Sequence, residues 1–166
     1  MRQRQWGMLL FTGIIGGILS GIVKLGWEVM FPPRTPERNA TNPPQELLQQ
    51  MGFSHDFTHQ TYTFSHMDLP WVSFIVHFSF SIVIALIYCM LVKKYAAVAM
   101  GYGAVFGIVI WVFFHLILMP LMHTVPAPWN QPFQEHLSEL FGHIVWMMTI
   151  EGARQLYFYK HQSELQ

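Results

Sequence analysis

Glu139 and His143 stand four residues apart in EHLSELFGHIVW, residues 135–146, and on a helix that spacing puts both on one face. Glu135, His136 and Ser138 lie within a turn of them. The apolar run continues through Ile150 and suits lipid, where an acid and an imidazole are tolerated only when paired or turned toward a wet interior. The same residue types recur in other apolar stretches: Lys24 and Glu28, again four apart, then His77 and His115. Two chemistries follow. Histidine changes charge between pH 5 and 8, so a partly buried group of imidazoles would respond to protons. Histidine and glutamate are also ordinary ligands for zinc or another borderline divalent metal, with His77, His115, Glu139 and His143 as the set. Spacing supports the metal weakly, because neither HExxH nor ExxH occurs. No Ser-His-Asp arrangement, phosphate-binding loop or dinucleotide fingerprint is present, so no residue is assigned as catalytic and enzymatic activity has no motif behind it.

Composition says what must hold these groups. Of 166 residues, 52% are hydrophobic and 11% charged, whereas soluble domains carry roughly 25% charged residues. One soluble core of this size could not hide so much apolar surface, and a bilayer is the better solvent. Nine basic and nine acidic residues leave no net charge, which gives no support for nucleic-acid binding. Cys89 is the one cysteine, which excludes an intrachain disulfide and a thiolate-rich metal cluster.

Four apolar windows, at 8–31, 71–92, 99–122 and 137–159, each approach the ~20 residues that cross ~30 Å of hydrocarbon. Only helices or closed barrels satisfy the backbone there, and four windows without alternation are too few for a barrel. The expectation is an all-α polytopic membrane protein: one domain over residues 1–166, with four transmembrane helices in a bundle. Arg2, Arg4, Lys93, Lys94, Arg154 and Lys160 then fall on one side, against Arg34 and Arg38 on the other, which puts both termini in the cytoplasm. The basic start of the first window is followed by no small-residue cleavage site, so it reads as an uncleaved helix. Residues 32–70 form the extracytoplasmic loop. Its Pro-Pro pairs at 32–33 and 43–44 read as breakers, with one short helical turn over Glu46–Met51.

Depth ties the polar residues together. At ~1.5 Å per residue, Glu28 and Lys24 lie roughly 5 and 10 Å in from the Phe31–Pro32 boundary, and His77 roughly 9 Å in from Trp71. On the same scale His115 is roughly 8 Å from the Pro120 end, and Glu139 and His143 are roughly 3 and 9 Å in from Leu137. All four helices thus contribute to one slab. Structural readings stand beside the functional one. Lys24–Glu28 could be an ion pair near the interface, and His115 a hydrogen-bonded packing residue. His77 has Ser73 and Ser81 as partners a turn away. Gly13, Gly17 and Gly21 make two overlapping GxxxG units, a close-packing face for a neighbouring helix or subunit that suggests a homo-oligomer. The methionines, with Trp71, Trp129 and Trp146, read as core filler and interface belt. His55, His59 and His66 read as solvated loop residues, and His123 and His136 as exposed helix mouths.

Several stretches, in order, resemble the YagU family of bacterial inner-membrane proteins. Val23-Lys24 through Glu28 and on to Pro32-Pro33-Arg34-Thr35-Pro36 resembles the first helix and the loop after it. His77 with Phe80-Ser81-Ile82-Val83 and Tyr88-Cys89 resembles the second helix, and His115 with Pro120-Leu121-Met122 the third. Glu135-x-x-Ser138-Glu139-x-x-Gly142-His143-x-x-Trp146, then Ile150-Glu151, resembles the fourth. The first loop is shorter here than in the family, and His136 lies outside the pattern. The resemblance implies a bacterial inner-membrane location and an association with survival in acid. The resulting expectation is a proton-responsive cluster of Glu28, His77, His115, Glu139 and His143, with Lys24 and Arg34 as electrostatic partners, acting through helix packing or permeation. The alternatives are a metal-binding membrane protein or metalloenzyme using the same cluster, and an assembly protein without chemistry.

Overall fold

A computed structural model describes residues 2–160. The chain is mostly helical. Helix α1 spans Arg2–Met30, α2 Pro43–Gln50 and α3 His55–Thr58. Strands β1 (Thr61–Phe64) and β2 (Met67–Pro70) form an antiparallel hairpin that runs directly into α4, Trp71–Lys94. Helix α5 covers Ala104–Leu121, and α6 covers Phe133–Lys160. Helix α1 packs against α4 on one side and α6 on the other, and α5 closes the bundle against α6. The core is Leu9 from α1, Ile84, Ala85 and Tyr88 from α4, Ile110 from α5, and Trp146, Met147 and Ile150 from α6.

The small residues of α1 explain the closest of these contacts. A Cβ on Gly17 would lie 2.5 Å from the Ile82 Cα, and one on Gly13 3.1 Å from the Leu86 Cα. At Gly21 it would meet the Phe78 ring at 2.8 Å. The GxxxG stripe is therefore occupied by α4 of the same chain and is not open to a second copy. Ser81 joins three helices at this seam. Its hydroxyl donates to the Gly17 carbonyl at 2.7 Å and accepts from the Trp146 indole at 2.7 Å, with Ser20 Oγ 3.1 Å away. Ser81→Ala leaves the buried Trp146 N–H without an acceptor, at a cost of about 1–3 kcal/mol. Thermal unfolding of the detergent-solubilised variant measures that loss, and an unchanged Tm would show that the indole finds another partner.

The four-span expectation is corrected. Three helices are long and apolar enough to cross a membrane, with spans at Trp6–Met30, Trp71–Lys94 and Ala104–Leu121. Helix α6 has the length, at 28 residues, but Glu135, Glu139, Glu151 and Arg154 interrupt its apolar run. The cytoplasmic placement of both termini rests on an even number of spans and stays an expectation. Part of the charge asymmetry also rested on the side chains of Arg2, Arg4 and Lys160, which lie outside the described residues. Arg154 is not a free interfacial charge. Its Nε and Nη2 form a bidentate pair with buried Glu151, each at 2.7 Å, and Glu151 also accepts from Tyr88 and Gln155.

Local differences have local causes. The third helix begins at Ala104 instead of 99 because Gly101, Tyr102 and Gly103 all take left-handed conformations, with φ of 61°, 58° and 83°. Gly103 is required there, since a Cβ would sit 3.1 Å from the Met147 carbonyl and the Tyr88 hydroxyl. The fourth helix begins at Phe133, four residues before the expected 137. The second Pro-Pro pair does not break helix; it opens α2. Proline suits the first turn, where its missing N–H has no partner to lose. Asn42 and Gln45 complete a reciprocal cap there. The hairpin departs from an all-helical fold, its Ser65-His66 turn taking positive φ at both residues. Trp146 belongs to the core, not to an interface belt, while Trp129 is 83% exposed. The loop histidines also pack locally: the His55 and His59 rings stack at 3.8 Å, and His59 reaches Thr41 and the Ala40 carbonyl.

Candidate functional site

At the end of the bundle away from the termini, the C-terminal turns of α1 and α5 meet the N-terminal turns of α4 and α6. Between them lies a cavity of about 250 Å3. A helix face repeats every three or four residues, so Lys24 and Glu28 follow Gly21 along the seam and reach this space. His77 enters from α4, His115 from α5, and Glu139 and His143 from α6, while Arg34 comes from the segment after α1. All six residues grouped by depth, and Arg34 named as their electrostatic partner, line this one cavity. Phe74, Phe80, Phe114, Met119 and Trp146 supply its apolar wall, and Asn39, Asn42 and Ser73 its neutral polar wall.

The charges form an alternating row. Lys24 Nζ donates to Glu28 at 2.5 Å and to Glu139 Oε2 at 3.1 Å. Glu139 Oε1 accepts from Arg34 Nη2 at 2.8 Å, and Arg34 Nε continues to Glu135 at 3.0 Å. Glu135 ends the row on Arg38 Nη2 at 2.7 Å. The order is thus Glu28, Lys24, Glu139, Arg34, Glu135, Arg38, three anions against three cations. Lys24, Glu135 and Glu139 are buried, and buried charges persist only with such matching. The row fastens the segment after α1 onto α6. Two further bonds hold the same junction: the Trp27 indole donates to the Ser138 carbonyl, and the Ser138 hydroxyl to the Phe31 carbonyl.

Backbone carbonyls set the imidazole tautomers. His143 Nδ1 donates to the Glu139 carbonyl at 2.7 Å and lies 3.8 Å from its carboxylate. His77 Nε2 donates to the Gly21 carbonyl at 3.0 Å, so its partner is α1 and neither Ser73 nor Ser81. Ser73 instead donates to Asn42. His115 lies inside a π-helical stretch, Val112–Leu118, and is buried. Such wide turns recur at functional sites. The His115 ring stands edge-on to His136 at 5.6 Å, and both face Trp111. Three buried nitrogens in this group, Trp111 Nε1, His115 Nε2 and His136 Nδ1, have no hydrogen-bond partner among the described residues.

Sequence reasoning missed Glu135 and Arg38 as members of the row, and treated His136 as simply exposed. A signal existed: Glu135 and Glu139 are four apart on α6, and Arg34 and Arg38 four apart on the facing segment. His136 is half-buried and donates to the Pro128 carbonyl at 2.9 Å. The metal set does not assemble. Among the described residues no three His, Cys, Asp or Glu side chains come together to hold a metal ion. Glu139 is already shared between Lys24 and Arg34.

Comparison with known proteins identifies the kinship. Residues 18–152 match the family described as Protein of unknown function (DUF1440), a stretch that contains every member of the row and the three cavity histidines. The inner membrane protein YagU of Escherichia coli (strain K12) is 33% identical over 175 residues, covering 92% of this chain and 85% of that protein. No solved structure matches. With its three spanning helices the chain is a multi-pass membrane protein, and on both comparisons it belongs to the DUF1440 family as a homologue of YagU.

Proposed function

We propose that this is an inner-membrane protein whose loop-end cavity senses protons and contributes to acid resistance by changing helix packing or proton permeation. The observation that carries the reading is that His77, His115 and His143, from three helices, border one cavity beside a row of fixed charges. An imidazole in water titrates near pH 6.5, and burial, with Lys24 beside it, pushes His143 down to about 4, so its proton uptake belongs to strong external acid. The groups facing each are mixed. His77 has Glu28, Lys24 and Glu139, His115 has Glu139, Arg34, Glu135 and His136, and His143 has Lys24, Glu139 and His115. A proton on any of them puts a new cation beside Lys24 or Arg34 and weakens the row that fastens α1 to α6. The loop end is assigned to the periplasmic side, because Lys93 and Lys94 close α4 at the opposite end.

The test is the chain reconstituted in liposomes, with proton leak followed by an internal dye and packing by tryptophan fluorescence. The natural chain is expected to change both as the pH falls from 7 to 4, with His143 taking up its proton at the acid end of that range. Changing His77, His115 and His143 together to glutamine is expected to remove most of that change, at least about tenfold in leak rate if the path runs through the cavity. The same pH response in the triple variant would sink the reading. A second reading, that the polar residues only pin the helices, draws on the complete matching of charges in the row. It predicts that the charge-neutral double variant Lys24→Met, Glu28→Met keeps full activity in acid survival.

A further inference from the structure

The charges lining the cavity cancel while its histidines are neutral. Lys24 and Arg34 are matched by Glu28 and Glu139, and beyond the lining Arg38 is matched by Glu135. Glu139 shares its single negative charge between two cations, and its carboxylate also stands 3.8 Å from His143 Nδ1. A proton on a cavity histidine therefore adds a positive charge in excess of the two carboxylates that line the wall. Unmatched charge in such surroundings is strongly disfavoured. Glu28 is the one internal rival: it is bound through a single oxygen, and its side chain is 32% exposed.

From this count we propose that the cavity takes up a small monovalent anion from solution together with the proton and releases it when the imidazoles are neutral again. The inference rests on the proton-responsive reading of the same site and names its second ligand. Space is sufficient, since about 250 Å3 is several times the ~30 Å3 share of a water molecule. Neutral donors are in place as well. Asn42 commits its Oδ1 to the Gln45 amide and the Ser73 hydroxyl, which leaves its NH2 group to donate, and Asn39 lines the same wall.

Chloride is the probe. The full chain, in lipid-free neutral detergent so that no anionic headgroup supplies the counter-charge, is titrated with acid in potassium chloride and in the bulkier potassium gluconate at equal ionic strength. Tryptophan fluorescence follows the titration, because Trp146 lies 5.8 Å from the His143 ring. Radiolabelled chloride binding is measured at pH 4 and pH 8. The expected result is saturable binding at pH 4 that is at least about tenfold weaker at pH 8. Linkage then raises the titration midpoint by up to about one pH unit per tenfold chloride. Glu28→Gln, which removes the internal rival, should strengthen the effect, and the triple histidine variant should lose it. Equal midpoints in both salts with no chloride bound at pH 4 overturn the anion while the proton reading stands. Chloride bound equally at both pH values overturns the coupling. A titration absent in both salts, or unchanged in the triple histidine variant, removes the proton reading and the anion with it.

Discussion

Replacing Glu139 by glutamine is expected to lower the stability of the folded chain by about 3–5 kcal/mol, the range for breaking a buried ion pair from one side. Glutamine keeps the shape and volume, so the loss is electrostatic. Lys24 would retain only Glu28, and Arg34 only Glu135, which leaves the buried stretch with an excess positive charge. Equilibrium unfolding in mixed micelles gives the number. The double variant Glu139→Gln, Lys24→Met restores the balance of the row and should recover part of the loss, which a double-mutant cycle isolates. A single variant within about 0.5 kcal/mol of the natural chain would mean that the row contributes nothing to stability.

The second large effect is expected at Gly17. A leucine there must place its Cβ where the Ile82 backbone already lies, with Cα at 2.5 Å and N at 2.9 Å. Backbone cannot turn aside as a side-chain tip can, so α1 and α4 must separate. Overpacking typically costs about 1–3 kcal/mol, and the 2.7 Å bond from Ser81 to the Gly17 carbonyl adds about 1 kcal/mol more when it opens. Gly26→Leu is the matched control on the same helix, where an added Cβ meets nothing within 4 Å. Thermal unfolding should separate the two clearly, with Gly26→Leu near the natural chain. Equal Tm values for both would mean that the seam is not tightly packed.

The contrast between what was and was not legible follows from what a sequence encodes locally. Polar groups in apolar runs are rare enough to be counted, and a helix has a fixed rise, so the shared level of Lys24, Glu28, His77, His115 and His143 could be read before any coordinates. The four-residue spacing of Gly13, Gly17 and Gly21 announced a close contact, though not that α4 would be the partner. Helix α6 was misjudged because its length was weighed above its charges. Glu135 and Glu139 turn inward to α1 and the segment after it, and Glu151 to Tyr88 of α4, tertiary pairings that periodicity does not reveal. The same holds for Arg38 and Glu135, which lie 97 residues apart. His77 was given hydroxyl partners from its own helix, but close packing at the glycine seam brings a backbone carbonyl of α1 within reach instead. The π stretch around His115 left no mark in composition, since a widened turn changes hydrogen-bond register and not residue type.

A row of alternating sign has an arithmetic of its own. Losing any single member strands one neighbour, whereas losing two adjacent members leaves the remainder neutral. Its tips, Glu28 and Arg38, are about a third open to water, and everything between them is shielded. Inherited change at these six positions should therefore travel in couples and begin at the tips, so that among related chains the row grows shorter but is never cut through its middle.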